Sequence, residues 1–89
     1  MKVAEVIKVF RKLEMQMTEG RDTNARFIHE GKVIVYSRVS HGRGDIGGNI
    51  PHFIRQQLKV SEDQFRGLLE CTIWRKEYEE ILRSKGLIR

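Results

Sequence analysis

Apolar residues recur as Val3, Val6, Ile7, Phe10 and Leu13, while Lys2, Glu5, Lys8, Arg11, Lys12 and Glu14 fill the positions between them. Steps of three and four place the apolar set on one stripe, so the pattern predicts an amphipathic helix over residues 2–14. The period then changes. MQMTEG (15–20) reads as a short strand, RDTN (21–24) as a turn and ARFIH (25–29) as a second strand. Glu30-Gly31 separates that strand from KVIVYSRVS, whose Val, Ile and Tyr content marks a third, and strands joined at HEGK pair as an antiparallel hairpin.

Helical spacing resumes after the glycines. Ile50, Phe53, Ile54, Gln57 and Leu58 line one face of a second helix, with Asn49 or Gly48 as its cap and Pro51 in its first turn. Ser61 and Gln64 form a capping box, which puts Glu62 and Asp63 in the first turn of a third helix, where the helix dipole favours them. Phe65, Leu68 and Leu69 are its inward positions. Trp74, Tyr78, Ile81 and Leu82 form the docking stripe of a fourth helix ending at Lys85-Gly86, with Gly86 as the left-handed residue past its end. The elements predict an α+β fold: the first helix packs on one face of a three-stranded antiparallel sheet beside the second, and the C-terminal helices extend that layer.

A chain of 89 residues supports one small domain, burying roughly 60 to 65% of the surface its unfolded form exposes. Seventeen Lys/Arg against twelve Asp/Glu give a net charge of +5. The excess is uneven: residues 1–60 carry eleven basic and six acidic side chains, and residues 61–89 carry six of each. The charge break near Glu70 divides residues 1–70, the main domain, from residues 71–89, a helical extension packed on it. A polyanion surface is therefore expected in the first two thirds. Between Lys32 and Lys59 the basic residues Lys32, Arg38, Arg43, Arg55 and Lys59 face the single acid Asp45, and they are the candidate phosphate contacts. A solvated face that keeps a basic protein soluble is the alternative. Tyr36 and Arg38 alternate onto one strand face, where the tyrosine either stacks on a base or packs within the hairpin.

Cys71 is the only cysteine, so it forms no internal disulfide; without a His or Asp partner it reads as a small buried apolar side chain, and it offers no metal spacing. No apolar run approaches the roughly 18 residues of a membrane span, and the charged first residues do not resemble a secretory signal. A cytosolic protein with no membrane partner is expected. That weighs against an adhesion reading of Arg43-Gly44-Asp45. Gly42, Gly44 and Gly47 spell GxGxxG, but the pyrophosphate fingerprint needs a parallel βαβ crossover, and these glycines follow the last strand of an antiparallel set. They are expected to supply a strand-to-helix turn, with no nucleotide cofactor.

VIKVFRKLEM, RFIHEGKVIV and HGRGDIGGNIPHFIRQQLKVSEDQFRGLL together resemble the HicA (YcfA-like) family of small toxin-type RNA-binding proteins, over roughly residues 3–69. His41 matches the histidine after that family's third strand, Asp45-Ile46 its acidic-apolar pair, Ile50 to Leu58 its second helix, and Ser61 to Phe65 its capping tail. The resemblance implies a double-stranded-RNA-binding-like α-β-β-β-α fold and, in active members, metal-independent endoribonuclease cleavage of mRNA by the histidine of a Gly-Ser-His strand. It also implies RNA as a partner, an antitoxin protein as a second one, and no cofactor or metal. Counting back from Phe27, Asp22, Thr23 and Asn24 occupy the Gly-Ser-His positions. Asparagine does not shuttle a proton near neutral pH, so the resemblance implies weak or lost cleavage unless another histidine substitutes. His41, beside Arg43, is the candidate; His29 reaches the same sheet face only with a register shift, and His52 lies in the first turn of the second helix. Two other classes remain open. Residues 50–58 and 61–70, joined at Lys59-Val60, have helix-turn-helix spacing for a DNA-binding regulator, and a module that only binds another protein needs no nucleic-acid surface.

Overall fold

The structure is a computed structural model that describes residues 2–40 and 50–89. Helix α1 (Val3–Lys12) leads into strands β1 (Gln16–Glu19), β2 (Asp22–His29) and β3 (Lys32–Ser40), followed by helices α2 (Ile50–Gln57), α3 (Glu62–Leu69) and α4 (Arg75–Ser84). The strands form one antiparallel sheet in the order β1-β2-β3. Among the described residues this is an α+β protein with four helices and an open three-stranded sheet. No strand pair is parallel among them, so the crossover that a pyrophosphate fingerprint needs is not present there. The GxGxxG loop itself, with Arg-Gly-Asp, His41, Arg43, Asp45-Ile46 and the expected cap Gly48 or Asn49, lies outside the described residues.

One core joins the layers. Val6, Phe10 and Leu13 of α1 and its C-terminus meet Ala25 and Phe27 of β2, Val35 and Val39 of β3, Ile54 and Leu58, Phe65 and Leu68, and Tyr78 and Leu82 of α4. The Tyr78 ring meets the Phe27 ring edge-on at a centroid distance of 5.0 Å, and burial holds its phenol above the ordinary tyrosine range. Its hydroxyl donates to the Leu58 carbonyl at 2.7 Å, satisfying a carbonyl at the end of α2. Residues 71–89 thus contribute to the same core as the rest.

Helix ends follow their local chemistry. Ser61 Oγ accepts from the Gln64 amide at 3.2 Å while Gln64 Oε1 accepts from the Ser61 amide at 2.9 Å, the reciprocal pair the sequence predicts. At Gly86 (φ +75°) the amides of Gly86 and Leu87 bond back to Arg83 and Leu82, closing α4. The same left-handed closure ends α1 at Glu14 (φ 52°), α2 at Lys59 (φ 63°) and α3 at Cys71 (φ 65°), where no glycine is available.

Several expectations need correction. Residues 21–24 are not a turn: β2 begins at Asp22, and Thr23 is fully buried as part of the strand's inward alternation. Asp22 and Asn24 are turn formers by type, but cross-strand partners on β3 hold them in the sheet. Ile50 and Phe53 are 47% and 52% exposed, so the buried face of α2 reduces to Ile54 and Leu58. Trp74 is half exposed at the start of α4, with its indole N–H donated to the Cys71 carbonyl at 2.9 Å. Cys71 is exposed, because the left-handed closing position points it away from the core.

A candidate nucleic-acid interface on the open sheet face

Strand alternation divides β2 and β3 into two faces. Thr23, Ala25, Phe27, Val35, Ser37 and Val39 are buried towards the helices. The opposite face carries Asn24, Arg26, Tyr36, Arg38 and Ser40, extended by Gln16 and Thr18 of β1, which pair with Arg26 and Asn24. Every helix that contributes to the core does so on the inward side, so this second face is uncovered among the described residues.

Its composition depends on one irregularity. The hairpin turns at Glu30 (φ 51°) and Gly31 (φ 77°), two positive φ values in a two-residue loop, and pairs His29 with Lys32 and Ile28 with Val33. Continued without interruption, that register would set Ala25 opposite Tyr36. A β-bulge between Phe27 and Ile28 gives β3 one extra residue, and beyond it Phe27 faces Val35, Arg26 faces Tyr36 and Asn24 faces Arg38. The extra residue flips the partnership, so Tyr36 and Arg38 share a face with Asn24 and Arg26 instead of lying opposite Ala25 and Thr23.

The side chains on that face are tied together. The Tyr36 hydroxyl donates to Asn24 Oδ1 at 2.5 Å, drawing the ring diagonally from β3 towards β2. The Arg26 guanidinium lies 5.8 Å from the Tyr36 ring centroid, and Arg38 Nη1 stands 3.9 Å from Asp22 Oδ2. Both contacts are weak: an exposed cation–π pair is worth about 0.5–1 kcal/mol, and an exposed ion pair of this length about 0–1 kcal/mol. Either arginine can therefore turn to a stronger anionic partner at small cost. Tyr36 remains 45% exposed, and the Arg38 side chain 64%.

The residues expected to bind phosphate do not all gather here. Arg38 lies on the open face, on the edge strand β3 beside α2. Lys32 lies at the other end of β3, about 20 Å away along the strand. It borders a cleft of about 380 Å³ with His29, Glu30 and residues 86–89. Arg55 is half-buried and committed, with Nη1 donating to the Val60 carbonyl at 3.0 Å and Nη2 lying 3.0 Å from His52 Nδ1. Lys59 is exposed at the left-handed residue after α2. Arg43 and His41 lie outside the described residues. Arg26 was missed by counting charge from Lys32 onward, and the alternation of β2, with Arg26 between the buried Ala25 and Phe27, was the signal that could have found it.

Asn24, where the sequence resemblance puts the cleaving histidine's position, is on the open face and engaged by Tyr36. His29 is not beside it: its Nδ1 lies 3.6 Å from Glu79 Oε2 of α4, on the helix-covered side, and its Nε2 lies 3.9 Å from Glu30. The register shift occurs, but its extra residue is in β3, so it re-aims β3 side chains and leaves His29 on the inward parity of β2. The described residues contain no cluster of three metal-ligating side chains, and none of their helices is long and apolar enough to cross a membrane. Compared with family models, curated proteins and solved structures, the chain matches none.

Proposed function

We propose that this protein binds RNA through the phosphate backbone, without strong sequence preference, and that the uncovered sheet face is its contact surface. The observation that carries the reading is the grouping of Arg26, Tyr36 and Arg38 on one face that is uncovered among the described residues, where Asp22 is the acid that meets Arg38. Guanidinium groups on weak contacts are available to phosphate oxygens, and Arg matches phosphate geometry with two parallel hydrogen bonds. The order α1-β1-β2-β3-α2 is compatible with the double-stranded-RNA-binding-like arrangement that the HicA resemblance implies, and on that resemblance in sequence alone the chain is proposed to be a cytosolic toxin-antitoxin component with an antitoxin protein as a second partner. Within that reading the chain is a weak or inactive ribonuclease, since position 24 offers an amide already bonded to Tyr36 in place of an imidazole.

A DNA-reading helix-turn-helix finds less support. Helix α3 opens with Glu62 and Asp63, which repel phosphates, and turns Phe65 and Leu68 into the core. Titration of labelled RNA at several salt concentrations tests the proposal: affinity should fall linearly on a log-log plot, with a slope of about 0.7 to 0.9 per phosphate contact. No measurable affinity at low salt rejects it, and tighter binding to duplex DNA than to RNA transfers it to the regulator reading.

A further inference from the structure

We propose that the ligand of the open face is a single-stranded RNA segment with one base stacked on Tyr36, and that Asn24 is the positioning residue that holds the ring for it. This rests on the RNA-binding reading above and narrows it from RNA in general to an unpaired strand.

Three observations point this way. Tyr36 is a large aromatic side chain left 45% exposed in the middle of a strand, on the face from which the core is absent. Cationic side chains stand at both neighbouring positions, Arg26 directly across and Arg38 two residues along, so a backbone crossing the strands meets a guanidinium on either side of a stacked base. The Tyr36 hydroxyl is fixed to Asn24 Oδ1, diagonally across the pair. A ring secured at its far end has less rotamer freedom to lose when a base settles on it, so it is pre-organised for stacking. An A-form duplex presents only backbone and groove edges to such a surface, and its bases remain within their own stack; a single strand can turn a base out onto the ring. Every base has a π-face, so the site selects strandedness over sequence.

The test measures binding of a fluorescently labelled eight-nucleotide oligouridylate and of an RNA duplex of equal length to the full chain and to Tyr36→Phe, Tyr36→Leu and Asn24→Ala. Circular dichroism confirms that each variant is folded. Tyr36→Phe keeps the ring and is expected to bind the single strand within about threefold of wild type. Tyr36→Leu should lose about 5- to 150-fold in affinity for it, the range one base stack spans, while its salt slope is unchanged because no phosphate contact is removed. Asn24→Ala removes the same hydrogen bond as Tyr36→Phe and also keeps the ring, so the two should lose the same factor, and the single strand should bind wild type more tightly than the duplex. Equal single-strand affinity in Tyr36→Leu and wild type, or preferential duplex binding by wild type, overturns the inference and leaves the RNA-binding reading standing. Failure to bind either RNA removes both.

Discussion

Arg75 ties three elements together through a single side chain, and its removal should be the most destabilising change at any half-buried position. Its Nη1 donates to the carbonyls of Leu13 at 2.8 Å and Glu14 at 3.3 Å, and its Nη2 to the carbonyl of Ile28 at 3.2 Å. The guanidinium also lies 4.4 Å from the centroid of the buried Phe27 ring. Leu13 and Glu14 end α1, so two of these bonds satisfy carbonyls the helix leaves over and place a cation at the negative end of its dipole. A hydrogen bond from a charged donor is worth about 1.5–3 kcal/mol, but water can replace the long, exposed bond to Glu14. The two part-buried bonds, discounted for solvent, with the desolvated contact to Phe27, amount to about 2–4 kcal/mol. Arg75→Met keeps the aliphatic volume and should reduce unfolding free energy by that amount, a fall in Tm of roughly 8–32 °C at about 4–8 °C per kcal/mol for a domain of this size. Arg75→Lys should recover less than half, because one ammonium cannot span the end of α1 and the end of β2 as a planar fork does. Denaturant titration followed by circular dichroism gives both values. A loss below about 0.5 kcal/mol in Arg75→Met, or full recovery by lysine, refutes this account of the residue.

Other predictions follow from the same contacts. Tyr78→Phe removes the bond to the Leu58 carbonyl and should cost about 1–2 kcal/mol near pH 7. Burial raises the folded phenol above its unfolded value near 10, so the folded state retains a proton that the unfolded state loses; stability falls as pH rises above about 10, and the gap between wild type and Tyr78→Phe should narrow there, as denaturant titrations at pH 7 and pH 11 will read. Glu14→Gly relieves a non-glycine residue held at φ 52° and removes an acid from a helix C-terminus, so it should raise stability by about 0.5–1 kcal/mol despite the added freedom of the unfolded chain; a drop in Tm would contradict this. In an RNA cleavage assay wild type should show no activity above background, while Asn24→His, which sets an imidazole opposite Arg38, should gain it; strong wild-type cleavage lost in His41→Ala would instead make the glycine loop the active site.

Much of the fold was legible because period, caps and turn chemistry agree. The stripe of α1, the Ser61 to Gln64 box, the Glu30-Gly31 hairpin and the Gly86 stop each rest on a few neighbouring residues, and each appears where the sequence puts it. Legibility ended where distant partners decide the outcome. Thr23 and Asn24 look like a turn until Val39 and Arg38 are placed opposite them, and nothing local announces the bulge that sets this register. That bulge also sets which face Tyr36 occupies, and so separates a packed hairpin aromatic from an available one. Phe53 and Trp74 have helical spacing with the core residues of their own elements, yet neither is buried, because the core is filled before it reaches them. Counting basic residues from Lys32 to Lys59 located Arg38 but scattered the rest, since Arg55 is bound to the Val60 carbonyl and Lys32 lies at the far end of β3.

The central claim is that the arginines of the open sheet face contact RNA phosphates, and the salt dependence of binding for wild type and an Arg26→Ala/Arg38→Ala double variant tests it most directly. Two lost contacts should lower the magnitude of the log-log slope for a single-stranded RNA by about 1.4, at about 0.7 per phosphate, with weaker binding at every salt concentration. A double variant with wild-type affinity and slope would contradict the claim and move any RNA contact off this face.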